Sequence, residues 1–121
     1  MTSERPRWSW LLFPHLSILV AASVLAACGR LPAMALAQRA GLDKLGHFLL
    51  LGTLSLFAVA FFGRARWVWV VCALAALSAL EEASQAWFPA RTVDVWDLAA
   101  NLSGILLGGL SATRLTRVAR L

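Results

Sequence analysis

Four stretches of the chain are apolar for close to a membrane-helix length, and each is bounded by charged or helix-breaking residues. They run from about Trp10 to Ala27, His47 to Phe62, Trp67 to Leu80 and Val95 to Leu110. Crossing ~30 Å of hydrocarbon takes roughly 17–25 residues. With flanking residues each stretch approaches that length, and EEASQ extends the third to Gln85. The second and fourth are short, which predicts that their polar ends dip below the membrane surface. GRLP at 29–32 closes the first span, and Pro32 opens a short surface helix through Ala40. Gly41 breaks that helix before Asp43 starts the second span, GRAR at 63–66 is a tight basic link, and Pro89 stops the third span. The pattern predicts one all-α domain over residues 1–121, a four-helix transmembrane bundle.

Composition narrows the choice of solvent. Hydrophobic residues make up 60% of the 121 residues, more than a water-soluble fold of this size can hide, because small domains bury the smallest share of their surface. The formal net charge of +5 raises the question of nucleic acid. The basic residues are scattered in twos and threes between apolar runs, with no basic face, so nucleic-acid binding is excluded. Cys28 and Cys72 form no metal spacing and are expected as thiols packed in membrane helices. No cofactor is implied.

Orientation follows from the arginines. With both termini in the cytoplasm, Arg5, Arg7, Arg64, Arg66, Arg114, Arg117 and Arg120 lie inside, against Arg30, Arg39, Lys44 and Arg91 outside. Trp8, Trp10, Trp67 and Trp69 then flank the inner surface, and Trp87 and Trp96 the outer one. A rival reading makes Arg5, Arg7 and LAAC at 25–28 a lipoprotein signal cleaved before Cys28. Leu-Ala-Ala is common by chance in a chain so rich in Leu and Ala, which favours a retained first helix.

This topology brings three polar clusters to one membrane level: DKLGH at 43–47, EEASQ at 81–85 and DVWDLAAN at 94–101. Asp43 and His47 share a helix face, and so do Glu82, Gln85 and the deeper Ser78. Asp97, Asn101, Gly104 and Gly108 follow i, i+4, i+7, i+11 as a single stripe, which predicts that they face the bundle interior. An ionisable group at membrane depth costs about 2.5–3.5 kcal/mol on insertion scales, so such groups usually pair or serve a site. Bland alternatives exist for several. Asp94 and Asp43 can cap the fourth and second helices, Lys44 can snorkel, Glu81 can be solvated, and the two glycines can serve packing. His15 stands apart, near the inner interface.

Asp43, Lys44, His47 and Phe48 at the start of one span, Glu82 and Gln85 at the end of the next, then Arg91, Asp97, Asn101, Gly104 and Gly108, in that order, resemble the VanZ-like family. The elements cover about half of the chain; none is specific alone, but their combination is. The resemblance implies a small bacterial integral membrane protein of the cytoplasmic membrane and a cell-envelope setting. The family's founding member is associated with resistance to the glycopeptide antibiotic teicoplanin. It supplies no reaction.

Three functions fit the residues. Binding of an anionic or lipid-linked envelope ligand would use Arg91 as a planar fork, Lys44 for charge, and Gln85, Asn101, Asp43 and Asp94 for polar atoms. Catalysis on a lipid-linked substrate would use Glu82 and His47 as base and acid, with Asp97 orienting the imidazole. A metal variant would recruit His47, Glu82 and Asp97, but no spacing demands a metal. An accessory role would leave the polar network to lock the bundle while outer loops meet a protein partner or a second copy of the chain.

Overall fold

The computed structural model describes residues 5–30, 41–89 and 92–118. The predicted surface helix at 32–40 and Arg91 therefore lie outside the described residues. Among those described there are four long helices and no strand. A 3-10 turn, Arg7–Leu11, leads into α1, Leu12–Ala27. Then come α2, Leu42–Phe62, and α3, Trp67–Ser84, joined through a 3-10 turn at Arg64–Arg66, and finally α4, Val95–Val118. All four, with their flanking turns, are long and apolar enough to cross a membrane. α2 takes in 21 residues, about 31 Å at 1.5 Å per residue, which matches the hydrocarbon thickness. DKLGH forms its first turns and lies inside the helix.

Local chemistry sets the helix ends. Gly29, at φ 68°, closes α1: its N–H bonds to the Ala26 carbonyl, and the Arg30 N–H reaches back to Leu25 at 2.8 Å. This paired closure favours a left-handed residue. Gly41, at φ 69°, is the N-cap of α2. No side chain caps that end, so Asp43 sits in the first turn and is not the cap considered from the sequence. Asp94 does cap: its Oδ1 accepts the Trp96 N–H at 2.8 Å.

The bundle has an inner pair and two flanks. Within the candidate spans, 39% of the α2 window and 33% of the α4 window are buried, against 11% for α1 and 11% for α3. α2 and α4 run parallel in close register, Gly52 lying between Gly104 and Gly108. A Cβ on Gly104 would collide with the Phe48 carbonyl, and one on Gly108 with that of Gly52. The glycine stripe thus lets two backbones meet. Ser55, fully buried, donates across the seam to the Ile105 carbonyl at 2.7 Å. Val59, Ile105 and Ala112 fill the centre beneath it.

α1 is fastened mainly near its start. Leu12 packs with Leu54, Ala58 and Phe61. Trp10 and Phe13 stand edge-on to Phe61 at 5.3 and 5.2 Å, and Arg5 lies over the Phe61 ring at 4.2 Å. His15 reaches across to α2. Its Nε2 is 2.9 Å from the Leu50 carbonyl and 3.1 Å from the Thr53 hydroxyl, a polar strap between helices. Both cysteines are free and exposed on the helix-bundle surface, so the expectation of packed thiols fails for these outward positions.

Candidate functional site

The start of α2, the end of α3 and the start of α4 meet at one end of the bundle, and they bring the three polar clusters together. Lys44, on the first turn of α2, reaches three carboxylates: Asp94 at 2.9 Å, Asp97 at 3.1 Å and Asp43 at 3.4 Å. The same Asp94 therefore caps α4 with one oxygen and pairs with Lys44 through the other. The Lys44 ammonium, helped by the Trp96 N–H, holds the Asp94 carboxyl below the usual carboxylate range. One turn deeper, His47 Nδ1 is 3.0 Å from Asn101 Oδ1, and Nε2 is 3.6 Å from Asp97. Asp97 and Asn101 are buried, as their place on the stripe required.

Glu82 belongs to a neighbouring arrangement. It is 2% exposed. Its Oε1 accepts the backbone N–H of Asp94 at 2.7 Å, and its Oε2 accepts Gln85 Nε2 at 3.3 Å. The carboxylate thereby ties the end of α3 to the residue that caps α4. Gln85 also donates to Glu81 at 3.1 and 3.2 Å, so Glu81 is engaged and half-buried, contrary to the solvated reading. Two buried atoms here lack a partner, Gln85 Oε1 and Ser78 Oγ.

Below this cluster lies a cavity of about 660 Å³ between α1, α2 and α3, within the 300–1,000 Å³ of ordinary ligand sites. Its walls are mostly apolar, with Leu16, Leu19 and Val20 on one side, Leu50 and Leu54 behind, and Leu74 and Leu77 opposite. Its polar end is made by Asp43, His47, Ser78, Glu81 and Asn101. From Asp43 to Leu54 the α2 wall rises about 16 Å, half of a ~30 Å hydrocarbon core.

Of the sequence candidates, Asp43, Lys44, His47, Glu82, Gln85, Asp94, Asp97 and Asn101 thus converge, although Glu82 and His47 share no hydrogen bond. Arg91 is outside the described residues. Among the described residues no group of three or more His, Cys, Asp or Glu side chains has a metal-holding arrangement. The sequence reading missed the groove entirely, and with it Gly46, Leu50 and the α1 wall. No signal pointed there: α1 is apolar all round, with no stripe to say which side a neighbour covers.

The VanZ/LLP1 family model matches residues 4–116, nearly the whole chain, with the first helix and Cys28 inside the match. No curated protein and no solved structure matches.

Proposed function

Since the chain belongs to the VanZ-like family and is built as a multi-pass membrane protein, we propose that it binds a lipid-linked ligand of the cell envelope, with the ligand's apolar chain in the α1–α2–α3 groove. The observation that carries this is the groove itself, apolar for half a membrane thickness and closed at one end by Asp43, His47, Ser78, Glu81 and Asn101. That is the outline of an amphiphile. With both termini in the cytoplasm, as the arginine distribution favours, the polar end faces the outer leaflet of the cytoplasmic membrane. Arg91, adjoining the cluster in sequence, is the cation assigned to an anionic group of the ligand farther out.

The network around the groove supports a positioning role more than proton transfer. Each Glu82 oxygen already accepts a protein N–H, and Lys44 is shared among three carboxylates. These bonds hold three helix ends around the head of the ligand.

Native mass spectrometry of the chain extracted in mild detergent tests the proposal. Wild type should carry one amphiphile per chain. Gly46→Trp should carry none, because a Cβ at Gly46 meets nothing within 4 Å and the indole would project into the groove. Arg91→Ala should lose anionic species selectively. Wild type and Gly46→Trp with the same lipid content would defeat the proposal. In cells, teicoplanin susceptibility with wild type against Gly46→Trp reads whether binding serves glycopeptide resistance.

A further inference from the structure

The serines of this bundle differ in one respect that bears on the ligand. Ser17, Ser103 and Ser111 each return their hydroxyl to the carbonyl four residues back, at 3.0, 2.8 and 2.8 Å. Ser78 does not. It is 5% exposed, its Oγ has no partner, and it lines the groove. A buried hydroxyl without a bond calls for an explanation; Ser9 Oγ also lacks a partner, but of the two only Ser78 lines the groove, where a ligand can supply one.

The other polar groups that line the groove say what kind of ligand that is. Asp43 presents a carboxylate whose one cation among the described residues, Lys44, stands at 3.4 Å and holds Asp94 and Asp97 more closely. Asn101 accepts from His47 through Oδ1, which leaves its amide nitrogen as a donor. Among the described residues the groove wall includes no lysine or arginine, while Asp43 and Glu81 are both in it. A phosphate at this level would meet the Asp43 carboxylate, and the described cation nearest to it, Lys44, is already shared among Asp94, Asp97 and Asp43. An ammonium would suit Asp43 but could not accept from Asn101. A hydroxyl does both, because it donates and accepts.

Resting on the groove reading above, we infer that the polar end of the groove receives a neutral polyol, a sugar or glycerol unit carried directly on the apolar chain, with any phosphate placed beyond it. Ser78, Asp43 and Asn101 are its contacts. The head is then ordered from the membrane outward as chain, hydroxyls, anion.

Three probes of equal chain length separate the possibilities: hexadecyl glucoside, hexadecyl phosphate and hexadecyltrimethylammonium. Each is offered to the full chain held in an amine-oxide detergent, which has no polyol head of its own, and retention is read by native mass spectrometry. The glucoside should be retained about tenfold over the other two, the scale of one or two hydrogen bonds. Ser78→Ala should reduce its retention severalfold with no loss of thermal midpoint, since the hydroxyl has no protein partner to lose. Asp43→Asn should raise retention of the phosphate. Equal retention of all three heads, or preference for the phosphate or the ammonium, overturns the polyol inference and leaves the groove reading standing. Retention of none, with Gly46→Trp indistinguishable from wild type, overturns the groove reading beneath it. Glucoside retention unchanged in Ser78→Ala removes the assigned contact and the inference with it.

Discussion

α2 meets its neighbours in two opposite ways. Toward α4 it offers Gly52, and the facing Gly104 and Gly108 bring backbone against backbone with no room for a methyl group. Toward α1 and α3 it offers Gly46, where an added Cβ meets nothing within 4 Å and the space continues as the groove. Glycine has opposite meanings on the two sides. In the seam its missing side chain is filled by another helix, whereas at Gly46 it is left for a guest. The comparison separates the part of the molecule that makes it one object from the part that leaves space. It also explains the uneven burial of the spans, since α1 and α3 wall the groove and rest on the α2–α4 pair.

The sharpest way to break this contrast is to put side chains into the seam. Gly108→Leu should give no folded protein, because the Gly52 carbonyl is backbone and cannot move aside. Gly104→Ala should lower stability by about 3 kcal/mol, the upper range of overpacking, seen as a drop in the thermal midpoint by circular dichroism. Next comes the latch. Glu82→Ala removes the acceptor of the Asp94 N–H and of Gln85 and should cost about 1.5–3 kcal/mol. Hydrogen exchange at the Asp94 amide should quicken with it, and Glu82→Gln should do less of both. On the groove side the sign reverses: Gly46→Ala should raise stability by about 0.5–1 kcal/mol, the helix-propensity difference, since no neighbour resists the methyl group. A loss there would abolish the distinction between the two faces.

The smallest effect is a pH dependence. The folded Asp94 carboxyl lies below its ordinary value, held there by Lys44 and then by the Trp96 N–H. Its contribution is therefore present above the ordinary carboxylate range and is lost as pH falls through the folded value. The thermal midpoint should be level from neutral pH down to that range and decline below it, and Asp94→Asn should shallow the decline while keeping the cap.

Much of the inner pair was legible from spacing. Asp97, Asn101, Gly104 and Gly108 repeat at helical intervals, so their shared face could be read directly, and all four are buried. The helix ends were equally plain at Gly29, Gly41 and Gly63, where positive φ demands glycine. What spacing could not give was who faces whom. Lys44 meets Asp94 and Asp97 across 50 and 53 residues of sequence, and no local rule chooses those partners over lipid headgroups. Glu82 read as a candidate base because an ionisable group at membrane depth, in one polar cluster with His47 and Asp97, usually pairs or serves a site. Its Asp94 N–H partner is backbone and has no signature in the sequence. The groove was invisible for a related reason. A cavity is defined by side chains from three helices failing to meet, and α1 carries no amphipathic stripe that would have placed it.

The parallel pairing of α2 and α4 has a consequence for how the chain is made. Lys44, His47 and Gly52 enter the bilayer with the second helix, but their partners in and just before the fourth emerge about fifty residues later, as the 50- to 54-residue separations require. At ribosomal speeds of about 5–20 residues per second, that face of α2 waits roughly 3–10 s for its cover. The third helix, inserted in between, brings Glu81 and Glu82 but no glycine, so it cannot supply the close backbone packing that Gly104 and Gly108 give. A chain interrupted before Val95 therefore lacks the one helix whose glycines close over the α2 backbone at Phe48 and Gly52.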